Sequence, residues 1–380
     1  MGQTIYLNYI RELKERIDRG ADLIQVILGP RQVGKTTTFL KLVEDHYQNS
    51  THYVSADQVF NAEAGWIREQ WMRALQENKI LAIDEIQKCY NWAEVVKALY
   101  DETKRAKKKL VCILLGSSSL AIQKGLSESL TGRFQLIQAH HWNYFESHEG
   151  YKISFDDYMS RGGYPGAYEI TIPDEWFSFV KNSIVSTVVE KDILQVNRVK
   201  NPALFRQAFE ILISYPAQEI SYTKLLGQLQ DRGNVELIKH YISLYEGAFL
   251  IKTLEKYSTK PINIKSSSPK IIPLAPCLPY LQIRAEYDSE ERGRVFEAMV
   301  GAQLLRTGEE VFYWREGDLE VDYVLKKGKS IWGIEVKSGR KKGSRGLDAF
   351  KTKYPSAKLS MITKEAYEEF ELDPIGYLEK

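Results

Sequence analysis

The chain has 380 residues, 43% of them apolar and 27% charged, with a formal net charge of +2. That length exceeds one ordinary core and predicts roughly two to four modules, while so small a net charge leaves no global basic field. Any nucleic-acid contact must therefore come from local patches. The three cysteines, Cys89, Cys112 and Cys277, lie far apart without metal-ligand spacing, which predicts reduced thiols and a cytoplasmic protein. Met1-Gly2-Gln3-Thr4 leads into Arg11, Lys14 and Arg16 without an apolar leader core, and the longest apolar runs are strand-length, so no membrane span is expected.

Residues 22–28 read as a buried strand, and Thr37 opens a helix whose apolar residues recur at helical spacing. Between them, Gly29, Pro30, Arg31, Gln32, Val33, Gly34, Lys35 and Thr36 fit the pattern GxxxxGK[ST]. A glycine-rich turn between strand and helix aims backbone N–H groups at a polyphosphate, and the helix dipole adds to the pull. The stretch Gly29 to Thr37 is thus the expected ATP cradle, with Lys35 on the β- and γ-phosphates and the Thr36 hydroxyl on Mg²⁺.

Such a loop needs acids on a neighbouring strand, and the apolar run from Lys79 to Ile83 ends in Asp84 and Glu85. Asp84 is expected to hold the Mg²⁺ through water and Glu85 to polarise the attacking water, which makes hydrolysis the expectation rather than binding alone. A third apolar strand, Leu110 to Leu115, runs into Gly116 and Ser117, and Ser117 would meet the γ-phosphate or the attacking water. Arg133, in Leu130-Thr131-Gly132-Arg133, is either a finger on a neighbour's ATP or the partner of a surface acid.

With Gly29-Pro30-Arg31-Gln32-Val33-Gly34-Lys35-Thr36, Asp84-Glu85-Ile86-Gln87, Gly116-Ser117-Ser118, Leu130 to Arg133 and Arg161-Gly162-Gly163-Tyr164-Pro165, the chain resembles a family of prokaryotic AAA+ ATPases. The resemblance spans nearly the whole chain. It implies homo-oligomers and a separate C-terminal domain, similar to restriction-endonuclease folds, of poorly defined function.

From Tyr144 to about Gln218 the sequence reads as helical, broken by the Gly162–Gly166 turn, as a lid over nucleotide would be. The adjacent His140 and His141 point apart and have no third ligand nearby, so packing is their expected role. Ile220–Leu226 and Val235–Leu244 read as two helices and Ala248–Leu254 as a strand, the order of a winged helix. Its second helix offers Lys239 and His240 to DNA, but few cations otherwise, and protein docking is the competing reading.

Leu319–Leu325 and Ser330–Lys337 read as strands of a hairpin. Centring the turn on Lys327 and Gly328 pairs Asp322 with Gly333 and puts Asp322, Glu335 and Lys337 on converging positions. Two carboxylates so placed can share a divalent ion while the lysine assists the nucleophilic water. Here the tail resembles the PD-(D/E)xK nucleases, which implies Glu297 as the helix-borne first acid and Mg²⁺ or Mn²⁺ as the ion. The chain departs from its relatives at Lys270-Ile271-Ile272-Pro273-Leu274-Ala275-Pro276-Cys277, which lacks their aspartate after the apolar strand. The cations Arg340, Lys341, Lys342, Arg345, Lys351 and Lys353 either track a phosphate backbone or form a solvated loop.

The expected architecture is α/β: an AAA+ P-loop core with a parallel sheet over 1–150, a helical lid over 151–215, a winged-helix module over 216–265 and a nuclease-like α/β domain over 266–380. The expected function is ATP hydrolysis coupled to a metal-dependent nuclease or nucleic-acid-binding domain acting on DNA or RNA. The alternative is an ATPase for signalling or protein docking whose C-terminal domain is catalytically silent.

Overall fold

The computed structural model describes residues 7–59, 63–116, 119–196, 199–229, 234–258, 267–283, 287–339 and 345–380. The chain divides into two compact units, residues 1–141 with 191–197, and residues 142–190 with 198–380.

The first unit is built on a parallel sheet of strands β1 (Ile24–Leu28), β2 (Thr51–Ser55), β3 (Ile80–Asp84), β4 (Cys112–Leu115) and β5 (Phe134–Gln138), in the order β2-β3-β4-β1-β5. β1 and β4 are buried along their whole length, which is why they read as unbroken apolar runs rather than alternating ones. The expected strands at 22–28, 79–83 and 110–115 correspond to β1, β3 and β4. Ile27 pairs with Leu115 and Leu114 with Ile83, so the three central strands end at one level. The segments after β1, β3 and β4 therefore share the carboxyl edge of the sheet, where open α/β sheets bind ligands. Two close approaches hold that edge: a Cβ on Gly29 would meet the Ala139 carbonyl oxygen at 2.4 Å, and one on Gly116 would meet Gln87 Oε1 at 2.3 Å.

In the second unit, helices Tyr144–Tyr151, Phe155–Arg161 and Pro173–Ser178 run into a π-helical turn over Phe179–Val185, within the region expected to be helical. Beyond helix Pro202–Ile213, a short strand β6 (Gln218–Glu219) precedes helices Tyr222–Gln228 and Val235–Gly247, capped by Ser221 and Asn234. Strands β7 (Ile251–Leu254) and β8 (Lys270–Pro273) complete a three-stranded antiparallel sheet in the order β6-β8-β7.

The C-terminal sheet contains β9 (Glu310–Glu316), β10 (Leu319–Lys327), β11 (Ser330–Lys337) and β12 (Lys358–Thr363), ordered β12-β11-β10-β9, with only β11 and β12 parallel. Helix Ser289–Leu305 lies on it, where Gly301 lets Tyr323 approach so closely that a Cβ would meet its hydroxyl at 2.5 Å. The two sheets of this unit are joined: Tyr313 on β9 exchanges backbone hydrogen bonds with Glu255 and Tyr257 just past β7, at 3.2 and 2.6 Å. Arg315 on β9 pairs with Glu219 of β6 at 2.9 Å.

The hairpin register differs from the expected one. Lys327 pairs with Ser330, so the turn centres on Gly328 and Lys329, and Gly333 faces Val324 rather than Asp322. Gly328 has φ of +59°. It takes the first central position, the one a type II′ turn reserves for glycine, and this moves the turn along by one residue. The β10–β11 ladder ends at Tyr323 and Ile334, with Asp322 and Glu335 next along their strands.

Candidate nucleotide site and a carboxylate cluster

The loop after β1 closes on two residues with positive φ, Gln32 at +60° and Gly34 at +82°. Gly34 is the residue before helix Lys35–Leu42. Lys35 is buried, and its ammonium donates to the carbonyls of Gly29 at 3.1 Å and Pro30 at 2.6 Å. It is thus folded over its own loop, where a polyphosphate would compete for it. Val33 is fully buried and anchors the loop, whereas Gln32 and Thr37 are exposed and Arg31 is half-buried. The first helical turn is fixed by Thr38, whose hydroxyl donates to Gly34 O at 2.8 Å and lies 2.6 Å from the Tyr9 hydroxyl.

Across the sheet edge, Asp84 Oδ2 accepts from the Thr36 hydroxyl at 2.7 Å and from the Tyr53 hydroxyl at 3.0 Å. Its Oδ1 accepts from Glu85 N at 2.8 Å. Burial, and next to it the Asp84 charge, pushes the Tyr53 phenol upward, so Tyr53 keeps its proton and acts as donor. A hydroxyl and a carboxylate in contact at the end of the phosphate loop are hard oxygen donors suited to Mg²⁺. Thr36 and Asp84 fit that ion, which in such sites neutralises charge on the phosphates.

Glu85 takes the left-handed conformation, φ +52°, and its carboxylate accepts from Gln87 Nε2 at 2.5 Å. Gln87 Oε1 is buried without a partner, in the space that Gly116 leaves by lacking a side chain. Tyr9 and Tyr53 were missed in the sequence because nothing in their local pattern signals the site, whereas Gln87 was read there only as part of the stretch that carries the family resemblance. Ser117 lies outside the described residues. Arg133 forms a two-pronged ion pair with Asp101, at 2.8 and 3.0 Å, which is the surface-acid alternative expected for it.

The second candidate site brings Glu297, Asp322, Glu335 and Lys337 together. Among the described residues no three Asp, Glu, His or Cys side chains group around a common cation position. Each acid already has a protein partner. Glu297 pairs with Lys270, Asp322 Oδ2 accepts from Val336 N at 2.7 Å, and Glu335 Oε1 accepts from Lys337 at 2.5 Å. Lys270 also donates to the Asp322 carbonyl at 3.1 Å and lies 4.9 Å from the Tyr323 ring centroid. Glu335 Oε2 is the remaining buried oxygen without a partner.

Burial pushes the Asp322 carboxyl well up, with the Glu297 charge adding to it, and burial also raises Glu297 against the pull of Lys270. For Lys270, burial pulls the ammonium down, but Glu297 and Asp322 more than offset it. Of the expected basic tract, residues 340–342 lie outside the described residues, and Lys353 is paired with Glu316 at 2.6 Å. In the strand–helix–helix segment, Lys239 is tied to Glu236 at 3.0 Å.

Residues 21–148 match the family model described as an AAA domain, and residues 152–274 and 292–375 match two domains of unknown function, DUF8612 and DUF4143. An uncharacterised protein of Methanocaldococcus jannaschii is 25% identical over 80% of this chain and 72% of its own length. One of Haemophilus influenzae is 22% identical over 97% of this chain and 95% of its own. Among solved structures, the Walker-type ATPase of Pyrococcus abyssi is 13% identical, with a TM-score of 0.48 over 74% of this chain and 96% of that one. The RuvB Holliday junction branch migration motor of Thermotoga maritima is 16% identical, with a TM-score of 0.34 over 64% of this chain and 88% of that one. The AAA match, over the residues that form the phosphate loop and its acids, supports ATP binding and hydrolysis by the first unit.

Proposed function

We propose that this protein is a cytoplasmic, Mg²⁺-dependent ATPase that works as a switch for a C-terminal module with no catalysis of its own. The observation that carries the ATPase reading is the contact of Thr36 with Asp84 at 2.7 Å beside the buried Lys35. Lys35 would release its loop carbonyls to hold the β- and γ-phosphates, and Asp84 would orient Thr36. Glu85 would accept the proton of the attacking water once Gln87 lets its carboxylate turn. Lys35 and Glu85 are the catalytic residues of this reading, with Ser117 at the γ-phosphate, while Gly29 to Thr37 supply the cradle. Arg133 would act on a neighbouring copy's nucleotide only after leaving Asp101. Three buried, free cysteines and the absence, among the described residues, of a helix long and apolar enough to cross a membrane agree with the cytoplasmic assignment.

For the C-terminal half, the order strand, helix, helix, strand, strand over 218–273 supports a winged-helix reading. Helix Val235–Gly247 carries a single lysine, Lys239, paired with Glu236 at 3.0 Å, and so few cations favour docking of a protein over DNA or RNA. A metal-dependent nuclease is the second reading, favoured by Asp322 reaching Val336 N, between Glu335 and Lys337 on β11.

Glu85→Gln tests the first reading. Nucleotide binding should persist, while phosphate release falls by about 10²–10⁴-fold, the usual contribution of a positioned base. Turnover within threefold of the parent protein would reject it. Cleavage of plasmid or single-stranded substrate with Mg²⁺ or Mn²⁺, lost in Asp322→Ala, would establish the second reading instead.

A further inference from the structure

The carboxylate cluster of the second unit holds a cation already. We propose that the Lys270 ammonium is a resident cation beside Glu297 and Asp322, standing in for a divalent ion and barring one. The proposal rests on the silent C-terminal module inferred above and explains how that module is silenced.

Lys270 arrives on β8, the middle strand of the three-stranded sheet, and crosses to the helix and hairpin that carry the acids. Its side chain is 5% exposed. A buried ammonium must be matched by charge and hydrogen bonds or it will not stay charged. Here Glu297 supplies the opposite charge, the Asp322 carbonyl an acceptor and the Tyr323 ring a π-face. The ammonium thus takes up the Glu297 carboxylate and the backbone oxygen of Asp322. Lys337 takes one oxygen of Glu335, and Val336 N takes one oxygen of Asp322. A divalent ion entering beside Lys270 would meet a fixed positive charge and would have to break these contacts, and it would find Glu335 Oε2 as the one side-chain oxygen of Glu335 left without a partner.

The same lysine is a mechanical link. β8 pairs with both β6 and β7, so Lys270 ties the strand–helix–helix segment to the site in the C-terminal sheet. Any movement of β8 relative to helix Ser289–Leu305 would withdraw the charge from Glu297 and from the Asp322 carbonyl together.

The test is Mn²⁺ titration of the full chain, read by electron paramagnetic resonance of the free ion, without nucleotide. The parent protein and Glu335→Gln should bind equal amounts of Mn²⁺, since the cluster contributes no site. Lys270→Met, which keeps the length and bulk of the stem, should gain one Mn²⁺ per chain. That site should be at least ~10-fold tighter than any at this place in the parent, and lost again in Lys270→Met/Glu335→Gln. Parent protein that binds a Mn²⁺ removed by Glu335→Gln would overturn the proposal, as would a folded Lys270→Met chain with no added site. Should Lys270→Met fail to fold, the comparison of parent with Glu335→Gln still decides. Phosphate release, measured in the same samples, reports separately on the ATPase reading.

Discussion

Tyr53 offers a direct way to measure what the sheet does for the nucleotide site. Its hydroxyl is one of two donors on Asp84 Oδ2, with Thr36 the other, and Asp84 is 3% exposed, so water cannot readily take the vacated place in Tyr53→Phe. A hydrogen bond to a charged group contributes about 1.5–3 kcal/mol, which corresponds to roughly 10- to 150-fold in an equilibrium or rate constant. The ring itself remains, along with its contact to Phe39 at 6.1 Å between centroids, so the substitution removes little besides the hydroxyl. Once Thr36 is engaged by the nucleotide, Tyr53 is the side-chain hydroxyl left to hold Asp84. The loss should therefore appear in kcat/KM for ATP, about 10-fold or more, and should be larger at limiting than at saturating Mg²⁺. Steady-state phosphate release across a Mg²⁺ series measures it, with circular dichroism melts to confirm folding. A change below threefold at every Mg²⁺ concentration would refute the view that Tyr53 fixes Asp84.

Gly116→Ala places a methyl 2.3 Å from Gln87 Oε1 and 2.2 Å from Ile122 Cδ1, so it should push Gln87 off Glu85. A thermal melt should show destabilisation of about 1–3 kcal/mol, the usual cost of overpacking, and phosphate release should change with it. Arg133→Ala should leave turnover unchanged in dilute monomer, and a loss that grows with protein concentration would mark it as a finger; removal of the Asp101 pair should leave the thermal melt almost unchanged, as for other surface pairs. Burial pushes the Glu371 carboxyl up to about 7, although the N–H groups of Phe145 and Tyr144, the Tyr367 hydroxyl and Arg306 oppose that rise. Because its folded value lies above the unfolded one near 4.5, its stabilisation is complete below pH 4.5 and is lost as pH rises towards and through 7. Urea melts followed by tryptophan emission should show the parent losing on the order of 3 kcal/mol relative to Glu371→Gln between those limits, and parallel curves would refute it.

The nucleotide site was legible because its determinants are contiguous. A strand, a glycine turn and a helix start within fifteen or so residues give the phosphate loop its shape through backbone rules alone, and a second apolar run ending in Asp84-Glu85 needs only parallel pairing to face it. Tyr53 and Tyr9 carry no such pattern, and they reach the site only because β2 pairs with β3 and helix Asn8–Asp18 packs near Thr38, while Gln87, part of the motif, finds its place because Gly116 opens a space. The hairpin was readable as a hairpin, but its register depended on which side of the turn needed positive φ, a one-residue choice that propagates to every cross-strand pair.

The amino-acid sequence by itself determined the P-loop, its two acids, the strands that carry them and the hairpin, and the presence of Glu297, Asp322, Glu335 and Lys337 on structured elements. These are properties of local spacing and backbone preference. Only the tertiary structure decided what those acids meet. Lys270 is 27 residues from Glu297 and 52 from Asp322 along the chain. It joins them because β8 lies against helix Ser289–Leu305, and a buried charge settles wherever packing supplies its counter-charge and acceptors.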